Sequence, residues 1–178
     1  MRVDPTFPEL LHNLAVALPA VGKLVAAAMY LAGFVLIFRG LYALKQYGEM
    51  RTMMSVNADL KTPIILICIG TVLIFYPTLI NTSLSTVYGN TTILSYTDNP
   101  NWSQQSNQAI EDVTLLLRLI GYISFFRGWL LMTHLGQQGS PPGTFGKALM
   151  HIIGGILLVN IIATWDIIDT TLGLGGNS

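Results

Sequence analysis

Apolar residues fill four long stretches of the chain, and polar segments separate them. The stretches are Leu24–Leu44, Thr62–Ile80, Val113–Leu135 and Ala148–Trp165. A helix needs about 20 mostly apolar residues to cross the roughly 30 Å hydrocarbon core of a bilayer. Because backbone polar groups in lipid must be satisfied within the segment, we predict a transmembrane helix for each stretch. The chain is therefore expected to be an all-α membrane protein with four transmembrane helices.

The distribution of basic residues predicts the orientation of these spans. Short cytoplasmic loops are enriched in Lys and Arg. The loop after the first span holds Lys45, Arg51 and Lys61, whereas residues 62–117 hold neither Lys nor Arg. We therefore place this loop in the cytoplasm and residues 81–112 outside, which puts both termini outside.

A short apolar helix face precedes the first span. Leu10, Leu11, Leu14 and Leu18 recur at positions that share one side of a helix. This pattern predicts one of two arrangements. The helix lies in the membrane interface until Pro19 turns the chain inward, or it extends the first span and packs on the helix bundle.

The main structural pattern in the chain is an internal repeat. Gly33–Gly40 aligns with Gly121–Gly128, 88 positions later, and both contain Phe-Arg-Gly; Ile67–Gly89 aligns with His151–Gly173, 84 positions later. Each unit holds two spans, so we expect two tandem parallel-repeat helical hairpins, both inserted in the same orientation. The predicted organisation is an N-terminal interfacial segment (1–23), a first hairpin (24–89), a polar outer loop (90–112), a second hairpin (113–173) and a tail (174–178).

Glycines in the hairpins are candidates for close helix packing. In lipid, helices associate through small residues that let two backbones approach each other. The candidates are Gly40, Gly70, Gly128, Gly154 and Gly155.

Two arginines lie inside the apolar runs, at equivalent places in the repeats. Arg39 and Arg127 each precede a glycine, and a charge within a membrane span is by default a functional hypothesis. Both also lie near the predicted cytoplasmic ends of their helices, where a guanidinium can extend to the lipid headgroups. The sequence leaves the functional and the structural interpretation open.

Charged residues at the predicted outer ends of the helices are expected to form ion pairs that join the hairpins. The cations are Lys23 and Arg118, and the candidate partners are Glu111, Asp112, Asp166 and Asp169. The polar outer loop between the hairpins contains Tyr96 and Trp102. It is expected either to fold over the bundle or dock a partner, or to remain a disordered polar segment.

Composition narrows the classes of function. Of 178 residues, 52% are hydrophobic and 10% charged, and the formal net charge is +0, so a basic nucleic-acid surface is absent. The single cysteine, Cys68, excludes an internal disulfide, a CxxC pair and a cysteine zinc site. His134 and His151 could meet near the inner membrane surface and hold a haem or a metal, but interfacial histidines are common. Because no catalytic motif is present, we expect no enzymatic activity, no cofactor, no metal and no small-molecule substrate.

The chain resembles a known family in three respects. These are the Phe-Arg-Gly sequences in the first helix of each hairpin, the Gly-Gly-x-Leu-Leu-x-Asn sequence at Gly154–Asn160, and the four-span length. They are similar to the small integral inner-membrane subunits of the Dot/Icm type IVB secretion system, of the IcmC/DotE type or the related DotV type. The resemblance covers residues 24–173. It implies a non-enzymatic subunit in the bacterial inner membrane, which contacts other membrane subunits of an apparatus that exports effector proteins.

A self-standing small transporter or channel is the alternative function. Such a protein is expected to place acidic or polar residues in the middle of its spans, facing a central cavity. In this chain, Asn160 is the only amide residue in the middle of a span.

Overall fold

The computed structural model describes residues 6–52, 59–137 and 139–173. Its helices are α1 (Phe7–Thr52), α2 (Lys61–Ile74), α3 (Tyr76–Tyr88), α4 (Gln104–Met132), α5 (Thr144–Val159) and α6 (Ile161–Leu172), and a 3₁₀ turn at Thr133–Gly136 follows α4. No β-strand occurs in these ranges, which confirms the all-α fold class. Residues 1–5 of the predicted N-terminal segment, residues 53–58 of the predicted cytoplasmic loop and the predicted tail at 174–178 lie outside the described residues.

Two of the helices are long and apolar enough to cross a membrane. One is α1, and the other is α4 together with the 3₁₀ turn. Two bent pairs, α2 with α3 and α5 with α6, are long enough only when each pair is taken as one span. The chain is therefore a membrane protein with two to four candidate spans. The 46-residue α1 is about 69 Å long at 1.5 Å per residue, more than twice the hydrocarbon thickness of about 30 Å.

The N-terminal part of α1 is a helical extension of the first span. The helix continues through Pro19 and across the predicted boundary at residue 23, so the chain does not turn there. Ala15 and Leu18 are buried, and this part of α1 packs against α4. The structure thus has a helix that continues through Pro19 and packs on α4, as in the packed extension, and no turn at Pro19.

The predicted spans Thr62–Ile80 and Ala148–Trp165 are each bent into two helices. The axes of α2 and α3 differ by 82°, and those of α5 and α6 by 92°. Pro77 explains the first bend. It lies in the first turn of α3, and proline inside a helix lacks an amide hydrogen and collides with the carbonyl four residues earlier. The helix therefore ends at Ile74 and restarts at Tyr76.

The second bend has no proline and depends on side-chain hydrogen bonds. Asn160 adopts φ −118° and ψ 57°, outside the helical region. The Thr164 hydroxyl then donates to the carbonyl oxygens of Leu157 at 2.8 Å and Asn160 at 3.0 Å. The Leu157 bond satisfies a carbonyl group near the end of α5 that the helix itself leaves without a partner. The Asn160 carbonyl also accepts from the Thr164 amide at 3.0 Å, which begins α6.

The helices form two hairpins that meet along α4. In the first, α1 packs on α2; in the second, α4 packs on α5; and α4 also contacts α1 and α2. The bend before α3 sends that helix over the second hairpin, where Ile80 and Leu84 join a buried cluster with Phe125 and Ile156. We call the end of the molecule that carries residues 89–103 the outer end and the opposite end the inner end.

Candidate functional site

Close backbone contacts hold the first hairpin together. A methyl group built on Gly33 would lie 2.8 Å from the Gly70 carbonyl oxygen, and one on Gly70 would lie 2.8 Å from the Gly33 carbonyl oxygen. A methyl group on Gly40 would lie 2.6 Å from Cγ1 of Ile67. These separations are shorter than any normal carbon contact, so only glycine fits at the three positions without a shift of the helices.

The second hairpin uses the same kind of contact. A methyl group on Gly121 would lie 2.8 Å from the Gly155 carbonyl oxygen, and one on Gly155 would lie 2.7 Å from the Phe125 amide nitrogen. A methyl group on Gly128 would lie 2.6 Å from Cγ1 of Ile152. Gly128 and Gly155 are therefore contact residues, like Gly40 and Gly70 in the first hairpin.

Gly154 is not a helix contact within this chain. A methyl group there would meet no atom within 4 Å. The contacts of Gly70 with Gly33 resemble those of Gly155 with Gly121, whereas the predicted alignment at 84 positions pairs Gly70 with Gly154. One residue rotates a helix position by about 100°, which places Gly154 on the side of α5 that faces away from α4.

Arg39 and Arg127 lie on the surface of the hairpins. Both residues are exposed, although the glycine that follows each one is buried between helices. Among the described residues, neither arginine forms an ion pair. An arginine on the lipid-facing side of a span can place its aliphatic stem along the helix and its charge among the headgroups.

The predicted ion pairs at the outer end do not form in the described part of the chain. Asp112 lies 3.5 Å from Nδ1 of His12, and neither Lys23 nor Arg118 pairs with an acidic residue. The reason is that α1 and α4 run parallel, which brings His12 to the level of Asp112 and Lys23 to the level of Arg118. Lys23 and Arg118 therefore line the same space between α1 and α4. The other predicted partners, which make no ion pair in these ranges, are Glu111, Asp166 and Asp169.

A cavity opens between α1 and α4, and both cations line it. It has a volume of about 370 Å³, and its walls come from α1, from α4 and from the first residue of α3. Its polar lining consists of Lys23, Arg118 and the aromatic residues Tyr76 and Tyr122, whose rings pack edge to face with centroids 6.4 Å apart. We call this space the outer cavity.

The loop at the outer end is folded over the second hairpin. The fully buried Asn160 accepts a hydrogen bond from the Leu94 amide at 3.0 Å and donates one to the Thr92 carbonyl at 3.2 Å. Arg118 donates through Nη2 to the Leu94 carbonyl at 3.0 Å. The Tyr88 and Thr164 hydroxyl groups lie 2.6 Å apart. The loop therefore covers the bend at Asn160, in agreement with the predicted arrangement in which it folds over the bundle.

A second buried amide closes the remainder of the loop. The side-chain oxygen of Asn107 accepts from the Tyr96 hydroxyl at 3.0 Å and from the Asn99 amide at 3.1 Å, and its nitrogen donates to the Asn99 carbonyl at 3.0 Å. Sequence reasoning missed Asn107 and the contact between His12 and Asp112. Neither has a sequence signal, because each depends on which side chains meet across elements. Pro77, by contrast, is a readable signal for the first bend.

The two histidines considered for a haem or a metal lie near the inner end. His134 is exposed in the 3₁₀ turn, and His151 is half-buried on α5. In the described ranges no hydrogen bond joins their side chains, and no group of three or more His, Cys, Asp or Glu residues is placed to hold a metal ion. The His151 carbonyl accepts a hydrogen bond from the Ser124 hydroxyl at 3.1 Å, which links α5 to α4.

Comparison with known proteins gives no relative for this chain: no family model, no curated protein and no solved structure matches it.

Proposed function

We propose that the chain is a non-enzymatic integral subunit of a multi-protein complex, the type IVB secretion apparatus of a bacterial inner membrane. The resemblance of its Phe-Arg-Gly and Gly-Gly-x-Leu-Leu-x-Asn sequences to small subunits of that apparatus supports the choice of complex. The structural support concerns assembly. It is one surface on the second hairpin that has the features of a helix contact, although none of the described helices packs on it.

That surface, the open face of α5, consists of Met150, Ile153 and Gly154. Met150 is 71% exposed and Ile153 is 46% exposed, and the space beside Gly154 is empty to 4 Å. Gly155, the next residue, lets the backbone of α4 approach α5 closely. Because small residues let helices approach closely in lipid, a helix of another subunit fits the open face of α5. This face is the single observation that carries the assembly role.

We further infer that the hairpins are tandem copies inserted in parallel. The support is their matching contacts, in which Gly33 meets Gly70 as Gly121 meets Gly155, together with the parallel packing of α1 on α4. The excess of Lys and Arg in residues 45–61 supports a cytoplasmic inner end and outside termini.

Gentle detergent extraction followed by native mass measurement tests the proposal, with identification of the proteins that co-purify. We expect wild type to leave the membrane bound to other membrane subunits and Gly154→Leu to lose most of them. Gly48→Leu is the matched control, because the same change is made where a methyl group also meets nothing within 4 Å, on α1 near its inner end. Gly128→Leu is a poor test, since it disrupts the hairpin itself.

Two results would refute the assembly role. One is wild-type protein that runs as a free monomer or homo-oligomer and transports a solute, which would favour the transporter or channel. The other is partner binding that Gly154→Leu and Gly48→Leu leave equally intact. The structure offers one argument against a conduit through the second hairpin. Asn160, the amide in the middle of the predicted span, has its side chain bonded to the loop backbone and is not free to face a passing solute.

A further inference from the structure

Two positive charges line the outer cavity, and among the described residues no carboxylate lines it. These charges belong to Lys23 and Arg118. Two cations in the lining of one cavity repel each other, and an anion in the same cavity offsets this repulsion. The cavity is therefore complementary to a negative ligand.

Arg118 is held in place with part of its hydrogen-bonding capacity unused. One terminal nitrogen donates to the Leu94 carbonyl at 3.0 Å, and the amide of Leu94 is in turn bound by Asn160. The Nε atom is buried and has no hydrogen-bond partner. A buried donor without a partner is unfavourable, and a guanidinium is well suited to bind phosphate oxygens through two donors.

The remaining walls of the cavity are apolar. Leu18, Ala26, Leu115 and Leu119 line it together with Gly22, so a small hydrated anion would leave most of this surface without a partner. The volume of about 370 Å³ is in the usual range of small-molecule sites, about 300–1,000 Å³. A ligand with an anionic head and hydrocarbon chains matches both parts of the lining.

The bend at Phe75 helps to build this site. It places Tyr76 at the start of α3, with its ring against Tyr122 of α4, so that two tyrosines stand beside the cations in the lining. Tyrosine hydroxyl groups can donate to phosphate oxygens.

We propose that the outer cavity binds an anionic phospholipid, with the phosphate between Lys23 and Arg118 and the acyl chains along the leucine-lined wall. Basic pockets between membrane helices are suited to such headgroups. The lipid would fill the space between α1 and α4 and thereby join the two hairpins. This inference requires that the chain lies in a membrane, and it does not depend on membership of a secretion apparatus.

Lipid retention in native mass spectra, together with thermal unfolding in detergent, tests the proposal. The probes are dioleoyl-phosphatidylglycerol, dioleoyl-phosphatidylethanolamine and inorganic phosphate. We expect wild type to retain one phosphatidylglycerol and to be stabilised by it. We expect little effect from phosphatidylethanolamine, which has the same chains without the net charge, and little from inorganic phosphate, which has the charge without the chains.

Two variants separate the charged and the apolar parts of the site. Lys23→Gln combined with Arg118→Gln should bind phosphatidylglycerol at least about tenfold more weakly, because charge-assisted hydrogen bonds are lost. Gly22→Leu should also block binding, since its side chain fills the cavity, although both cations remain. Lys45→Gln combined with Arg51→Gln is the control that removes the same charge elsewhere on α1, and it should bind as wild type does.

Several results would overturn the proposal. Equal stabilisation by phosphatidylethanolamine would show that the charge is not recognised, and equal stabilisation by inorganic phosphate would identify a site for a free anion instead. Phosphatidylglycerol binding that survives Gly22→Leu would place the lipid elsewhere. If the double variant of the cations fails to fold, Gly22→Leu decides the question, because it retains both charges.

Discussion

Replacing Gly155 or Gly154 with alanine adds one methyl group at adjacent positions of the same helix, with opposite consequences. At Gly155 the methyl carbon would lie 2.7 Å from the Phe125 amide nitrogen and 2.8 Å from the Gly121 carbonyl oxygen. Both atoms belong to the backbone of α4 and cannot rotate away. At Gly154 the methyl carbon would meet nothing within 4 Å. The two variants therefore compare the same chemical change with and without a steric conflict.

The size of the effect follows from these distances. Ordinary van der Waals contact begins at 3.4 Å, so α4 and α5 must separate by about 0.7 Å near Gly155. A gap of 0.5–1 Å forfeits about a quarter to a half of each contact energy along the interface, and overpacking of this kind typically costs about 1–3 kcal/mol. Alanine also favours the helix over glycine by up to about 1 kcal/mol, but this gain is common to both variants.

The difference between the two variants therefore isolates the cost of the contact. We expect Gly155→Ala to be about 1–3 kcal/mol less stable than Gly154→Ala, which is about a 5- to 150-fold difference in the equilibrium constant of unfolding. Gly154→Ala alone should be as stable as wild type or slightly more stable. Reversible unfolding in mixed micelles of dodecyl maltoside and dodecyl sulfate, followed by circular dichroism, gives the two free energies. Equal stabilities, or a less stable Gly154→Ala, would refute the assignment of Gly155 as the contact residue.

Three further predictions concern the loop, the orientation and the start of α2. Asn160→Ala removes both partners of the loop backbone, so hydrogen exchange at the Leu94 amide should become faster and stability should fall by about 1–3 kcal/mol per orphaned group; unchanged exchange would contradict the role of Asn160. Single cysteines are introduced in a Cys68→Ser background, and intact cells are treated with a thiol reagent that does not cross the membrane. Cysteines within Thr82–Asn107 should react and those within Gln46–Leu60 should not; the reverse pattern would overturn the predicted orientation. The Lys61 amide and the Thr62 hydroxyl each donate a hydrogen bond to the Asp59 carboxylate at 2.9 Å. These bonds, above all the one from Lys61, lower the pKa of Asp59 below its ordinary value of 3.8. Because the folded state favours ionised Asp59, these bonds contribute to the free energy of unfolding above about pH 4, and the contribution is lost as the pH falls through the lowered pKa. The NMR resonance of the Lys61 amide should follow this titration in wild type and not in Asp59→Asn.

The apolar pattern is sufficient to predict the parts of the fold that depend on hydrophobicity and length. Runs of about 20 apolar residues have to lie in lipid as helices, which correctly placed the long helices α1 and α4. The glycines Gly40, Gly70 and Gly128 were also recognisable, because small residues inside apolar runs favour close helix contacts. Pro77 carried a readable signal for the first bend, since proline ends a helix through its own covalent structure.

Only the tertiary structure decided which residues meet. Gly154 and Gly155 are adjacent and chemically identical residues. The rotation of about 100° per residue in a helix places Gly155 against α4 and Gly154 on the open face of α5. Lys23 and Arg118 were expected to find carboxylates, but the parallel packing of α1 on α4 places both of them in the lining of one cavity. An apolar run specifies that a segment leaves water. It does not specify the direction in which the helix bends or the neighbour against which it packs, because those depend on contacts between residues far apart in the chain.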